Sequence, residues 1–272
     1  MNADWLTPEW PAPPWVGAVC TSRAGGVSKP PYERLNLGDH VGDQAGDVLA
    51  NRSNLGRQIG AKPVFLNQVH QYDVVHLNTG TPHGTVADAC VTRQTGLACT
   101  IMVADCLPVL WADRSGTVVA AAHAGWRGLA GVATGAGPVG VLETCFFKFI
   151  TQALGEGEQN NRAAIARDTL VWLGPCIGVA AFEVGDEVRQ AFVGPNPATE
   201  VFFAAKGQGK WLADLQGLAR QRLTALGVTQ VFGNDGSPGW CTVANPSRFF
   251  SHRRDAARLG GSGRMAASIW LG

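Results

Sequence analysis

Residues 104–128 read ADCLPVLWADRSGTVVAAAHAGWRG. Two apolar runs, residues 107–111 and 117–122, flank the turn Asp113-Arg114-Ser115-Gly116, a pattern that predicts a β-hairpin. A hairpin returns the chain to the edge it left. Cys106, just ahead of the first strand, and His123, at the end of the second, therefore come side by side. Past His123 the chain breaks into Ala124-Gly125-Trp126-Arg127-Gly128. A thiol and an imidazole at that distance make half of a metal site or half of a nucleophilic dyad.

Outward from this hairpin, short apolar runs predict strands at 16–21, 64–66, 72–77, 87–92 and 97–103, and again at 170–173, 198–204, 228–232 and 265–271. Helical spacing appears after Asp43, read as an N-cap, with Val48, Leu55 and Ile59 on one face. It recurs at 139–154, opened by Pro138, and at 184–193 and 211–226. Residues 155–168 are polar and read as a loop. Strands with interspersed helices argue for an α+β (mixed α/β) fold with mixed sheets. Pro8, Pro11, Pro13 and Pro14 make residues 1–15 an irregular lead-in. No shift of composition divides residues 16–272, which read as one catalytic domain.

Of the 272 residues 46% are apolar and 16% charged, which supports a buried core and excludes disorder. A formal net charge of +1 provides no field for nucleic acid or an anionic membrane. The seven cysteines are scattered through apolar surroundings, a usage that suits a reducing compartment. With no secretory leader and no apolar stretch long enough to span a bilayer, the expectation is a soluble cytoplasmic protein. Oligomeric state is not legible.

His70, like His123, stands where a strand meets a loop. If both share a rim with Cys106, zinc could take the two nitrogens and the thiolate, keeping its fourth position for water or substrate. A metal so held brings the pKa of bound water to ~7. The spacing 70, 106, 123 matches no short zinc pattern. From the residues alone a metal centre, a Cys–His nucleophile and ordinary buried side chains all stay open. Arg23, Arg127, Arg253, Arg254 and Arg264 lie among small residues, where a guanidinium can fork onto phosphate or carboxylate. Asp105 reads as a base, an orienting partner or a turn residue, and Cys176 as a small residue in a tight turn. No dinucleotide fingerprint, Walker A loop or nucleophile elbow is present.

Several stretches together resemble one family: TSRAGGVS (21–28), LNLG (35–38), HVGD (40–43), NQVH (67–70), ADCLPVL (104–110), HAGWRG (123–128), FEVG (182–185) and, in the tail, SHRRD (251–255) and SGR (262–264). In order and number they are similar to the YfiH / laccase domain-containing protein 1 family, over roughly residues 16–271. The resemblance implies mixed sheets sandwiched by helices, a fold shared with a toxin deamidase whose active site is a Cys–His pair. It implies a zinc-type catalytic site on His70, Cys106 and His123; beside it, substrate contacts are expected at Arg23, Asn36, Asp105 and Arg253, with Arg23 or the Arg253/Arg254 pair supplying the anion site. The implied chemistry is phosphorolysis of adenosine, inosine, guanosine and methylthioadenosine, with deamination of adenosine by a zinc-activated water. Its partners are then small molecules, purine nucleosides and phosphate. Two further activities attach to the family. One is a copper-dependent polyphenol oxidase (laccase), and the other a Cys–His hydrolase editing peptidoglycan precursors. His252 stands where the family pattern has tyrosine, Val132 where it has glycine, and Ser262 where threonine is common.

Overall fold

A computed structural model describes residues 2–135, 137–154 and 161–272. In chain order they form β1 (Val16–Cys20), α1 (Ala45–Ile59), β2 (Lys62–Phe65), β3 (Val74–His76), β4 (Ala89–Thr92), β5 (Leu97–Val103), β6 (Leu107–Asp113) and β7 (Val119–Ala124). Next come α2 (Trp126–Ala130), β8 (Val132–Thr134), β9 (Gly137–Val139), α3 (Val141–Leu154), α4 (Arg162–Asp168), β10 (Thr169–Leu173), β11 (Glu183–Gly185) and α5 (Asp186–Val193). The chain closes with β12 (Phe203–Gly207), β13 (Lys210–Ala213), α6 (Leu215–Ala225), β14 (Gln230–Gly233), α7 (His252–Leu259) and β15 (Met265–Leu271).

Two mixed sheets carry the fold: a six-stranded sheet in the order β14-β10-β6-β7-β4-β3 and a four-stranded sheet β1-β15-β5-β2. Alternation along each strand sorts the side chains into layers. Ile101 and Val103 of β5 and Ala267 and Ile269 of β15 meet Leu110 of β6, Ala121 of β7 and Trp172 of β10 between the sheets. On the outer face of the smaller sheet, Ala98, Met102 and Trp270 pack against Leu55 and Ile59 of α1. On the outer face of the larger sheet, Val109, Trp111 and Val171 pack against Phe146 and Phe149 of α3 and Leu218 of α6. The result is an α+β sandwich of two sheets between helices, as expected. β7 shows no polar alternation because both of its faces are buried. Its alanines, Ala120 to Ala122, leave room for α3 on one side and the second sheet on the other.

The hairpin is present. β6 pairs antiparallel with β7 in a register that sets Leu107 opposite Ala124 and Pro108 opposite His123. Asp113 closes its turn, its carboxylate accepting from the main-chain N–H of Thr117 and Val118 at 2.7 Å each. The second strand runs Val119–Ala124, two residues later than predicted.

Other elements differ from expectation. Residues 211–226 are not one helix: Trp211 and Leu212 belong to β13, paired between β11 and β12, and α6 starts only after Asp214. The Asp214 carboxylate caps α6 through Gly217 N–H at 2.8 Å. Sheet pairing overrides the helical spacing there. The 184–193 segment likewise begins as β11 before turning into α5, and 198–204 is a 3-10 turn, Pro197–Phe202, leading into β12. Pro138 sits in β9, not at a helix start. Asp43 does not cap α1: the helix begins after Gln44, and the Asp43 carboxylate instead takes Gln44 N–H and the Asn36 amide. Within the predicted loop 155–168, residues 162–168 are α4, while 155–160 lie outside the described residues. The tail holds α7, capped by Ser251, so Arg253 and Arg254 are helical rather than on a loop. Among the described residues no helix is long and apolar enough to cross a membrane.

Candidate functional site

One acid organises the site, and it is Asp88, on the residue before β4. It is fully buried. Its Oδ1 accepts from Nδ1 of His123 at 2.8 Å. Its two oxygens also accept the main-chain N–H of Val69 (3.1 Å), His70 (2.9 Å) and Gln71 (2.8 Å). One carboxylate thus fixes the ring of one histidine and the backbone of the other. His70 needs that support, because its φ of 61° lies in the left-handed region that non-glycine residues avoid. Gln68 anchors the same loop to β5 by exchanging hydrogen bonds with the Met102 backbone at 2.8 Å each.

Cys106 sits at the mouth of the hairpin, half-buried, with Sγ 3.8 Å from His70 Nε2. The two imidazoles meet edge-on, ring centroids 4.7 Å apart. One ligand atom from each of His70, Cys106 and His123 falls within 4.8 Å of the others, a group that could hold a metal ion. The donor set fits. A ligating histidine characteristically gives its other N–H to a carboxylate, and Asp88 takes that of His123. Gly125 leaves the space: a Cβ there would lie 2.9 Å from His70 Cδ2 and 3.1 Å from Cys106 Sγ.

The electrostatics of the three groups are coupled. Burial pushes the Cys106 thiol up, but His123 and then His70 more than offset it, bringing it down to about 6. Burial acts against a charged His123, yet the Cys106 thiolate and the Asp88 carboxylate raise it to about 9. Asp88 is itself held below the usual carboxylate range, burial opposing and His123 and the loop N–H groups prevailing.

The set lies in a cleft of about 350 Å³, within the size range of small-molecule sites. Its lining includes the apolar Trp126, Ile177 and Phe182 and the polar His40, His252 and Arg264. Asp105, at φ 88°, does not face the histidines as an orienting base. Its carboxylate accepts from Thr242 Oγ1 and Arg253 N–H, at 2.6 Å each, tying the hairpin to the start of α7. The Arg253 side chain lines the cleft, with its guanidinium donating to the carbonyls of Ala181 and Glu183. Arg23 is elsewhere: it donates to the carbonyls of Glu33 and Pro246, stacks on Phe250 and lines a separate surface groove. Asn36 is fully buried outside the cleft lining, where its Oδ1 accepts Arg264 N–H at 2.8 Å. Cys176 is buried against Gln216 and Asn234. Val132 is exposed in β8 and takes no part in the cleft. Asp88 was not singled out by sequence, although an acid between two alanines in an apolar run is a signal that it has a buried partner.

Two packed mixed sheets with a His–Cys–His cleft at the strand ends define the class of protein. The chain belongs to the YfiH family: the profile described as multi-copper polyphenol oxidoreductase laccase matches residues 17–272. It is 46% identical, over all of its length and 99% of the relative's, to a purine nucleoside phosphorylase of Pseudomonas aeruginosa. It is 45% identical to purine nucleoside phosphorylase YfiH of Escherichia coli, covering 98% of each chain. The crystal structure of Neisseria meningitidis protein NMB0706 is similar with a TM-score of 0.83, at 44% identity over 98% of this chain and 99% of that one.

Proposed function

We propose that the protein is a zinc-dependent purine nucleoside phosphorylase that cleaves adenosine, inosine, guanosine and methylthioadenosine with phosphate and also deaminates adenosine. The observation that carries this reading is a His–Cys–His group in a cleft lined by both apolar and cationic side chains, in a chain matching nucleoside phosphorylases end to end. Phosphorolysis exchanges the glycosidic C–N bond for a C–O bond to phosphate. The site must hold the base, hold the anion and exclude water. Trp126 and Phe182 offer the base flat apolar surface. Asp88 keeps His123 in one tautomer with Nε2 turned to the cleft, and Asp105 fixes the start of α7, whose His252 and Arg253 line the same cleft. Zinc on His70, Cys106 and His123 supplies Lewis acidity, the chemistry that brings a water's pKa to ~7 for deamination.

The test is turnover of each nucleoside by purified, metal-analysed protein, with and without phosphate. Expected are free base and the matching sugar 1-phosphate (ribose 1-phosphate, or methylthioribose 1-phosphate from methylthioadenosine) only when phosphate is present, inosine from adenosine without it, and about one zinc per chain. Absence of phosphate-dependent base release overturns the reading.

A second reading has one observation behind it. Without metal, the pair formed by Cys106 at about 6 and His123 at about 9 is a thiolate–imidazolium, the activated form of a cysteine hydrolase acting on peptidoglycan precursors. It predicts a covalent acyl adduct on Cys106, seen by mass spectrometry. Copper oxidase chemistry has less support. A multicopper oxidase needs a further histidine cluster, and His70, Cys106 and His123 form the one such group among the described residues. The Met102 sulfur, a possible soft ligand, instead accepts from Arg52 at 3.7 Å.

A further inference from the structure

We infer that Arg264 is the oxyanion-binding residue of the cleft, holding inorganic phosphate with His40 and His252 at its sides. The inference rests on the nucleoside phosphorylase reading and adds to it the residue that takes the anion.

The arginines sort themselves by what already occupies them. Arg254 is saturated: its guanidinium donates to both Asp255 oxygens and to the carbonyls of Thr242, Val243 and Phe249. Arg52 is paired with Asp39 at 3.0 Å. Arg127 is exposed and lies over the Trp126 ring, its carbon 4.4 Å from the centroid, and does not line the cleft. The Arg253 fork points at two carbonyls. Arg264 differs from Arg253, which also lines the cleft, in keeping one whole edge of its fork open. It lines the cleft beside Cys106 and His123, and no carboxylate of the described residues forms an ion pair with it. Its Nη1 donates to the carbonyls of Ser262 and Gly263, which leaves Nε and Nη2 for a ligand.

The position is built rather than incidental. Asn36 clamps the Arg264 main chain, and Gly38 makes room for its stem, since a Cβ at 38 would stand 2.7 Å from Arg264 Cγ. Burial disfavours the charge, while Cys106 and Asp105 lie near enough to support it. A half-buried cation without an acid, with two N–H groups to spare, matches the bidentate geometry of an oxyanion. His40 lies near enough to Arg264 to feel its charge, His252 lines the same cleft, and both can add donors. The fork would hold phosphate in the same cleft that offers the nucleoside Trp126 and Phe182.

Arg264→Gln and Arg264→Lys are compared with wild type and with Arg114→Gln, a surface control on the β6–β7 turn, all zinc-loaded. KM for phosphate, KM for nucleoside, kcat and zinc content are measured. Line broadening of the phosphorus resonance of inorganic phosphate reads binding without turnover. Expected for Arg264→Gln is a phosphate KM about 10- to 100-fold higher, with nucleoside KM and zinc content unchanged. Broadening should be lost in step. Arg264→Lys, which keeps the charge and loses the fork, should fall between. An unchanged phosphate KM, or broadening that persists in Arg264→Gln, overturns the inference, as does an equal rise in both KM values. Acetate that competes with phosphate as well as sulfate does would mark the subsite as a carboxylate site and also overturn it. If wild type binds phosphate through Arg264 but cleaves no nucleoside, the nucleoside reading fails and the oxyanion subsite stands. Should Arg264→Gln not fold, Arg264→Lys and the wild-type competition carry the decision.

Discussion

His123 is 3% exposed, on a strand buried on both faces, with its Nδ1 fixed by Asp88. His70 is exposed on a loop, and its ring touches little besides Cys106 and the edge of His123. Both reach the same sulfur, but one is positioned by its side chain and the other by its backbone. Asp88 does both jobs with one carboxylate. A ligand set assembled this way has one rigid member inside the core and one at the surface. Loss of either should remove function, and only the buried one should also cost fold.

The largest effect should come from the shared sulfur. Cys106→Ala is expected to bring phosphorolysis and deamination to the background of the blank reaction; intact phosphorolysis would take the thiol out of that chemistry. Asp88→Ala should follow, because it strips partners from His123 and from three loop N–H groups at once. A loss of about 3–5 kcal/mol in denaturant titration is expected, with zinc affinity down about 10- to 100-fold. If that variant unfolds like wild type, Asp88 is not the common support. Gly125→Ala should cost about 1–3 kcal/mol by crowding His70 and Cys106. His70→Ala should lose zinc yet, with both proteins metal-free, shift stability by no more than about 0.5 kcal/mol, as exposed positions do.

The pH dependence of the metal-free thiol distinguishes the histidines again. The Cys106 pKa is depressed, so the thiolate persists below the ordinary thiol range and is lost as pH falls through about 6. Iodoacetamide modification, followed by mass spectrometry, should show its midpoint there. His123 acts on the thiolate more strongly than His70. The midpoint should therefore rise further in His123→Ala than in His70→Ala, and equal rises would make the two equivalent.

The Cys106–His123 pair was legible because a hairpin turns sequence distance into spatial contact, and the register bears it out. His70 came from its position at a strand end and from the family motif, since no local rule links it to residues 106 and 123. Asp88 and Arg264 act across the fold, one tying a loop to a strand and the other reached through Asn36, and such ties leave little trace in spacing. Among the elements, α7 was missed because its residues, His252 to Leu259, carry almost no apolar face for a period to show. The β13–α6 boundary was missed because Trp211 and Leu212 suit either structure until their neighbours in the sheet decide.

β15 follows every other strand in the chain, yet it lies between β1 and β5. While the polypeptide is being made, those two strands wait with unpaired edges, a template for pairing with other chains. Arg264 directly precedes β15 and arrives with it, so the cleft gains this arginine only as the sheet closes. Biogenesis is thereby coupled to competence: a nascent chain stalled before residue 264 would hold the sulfur, both imidazoles and Arg253, lack Arg264, and be the form most in need of a chaperone.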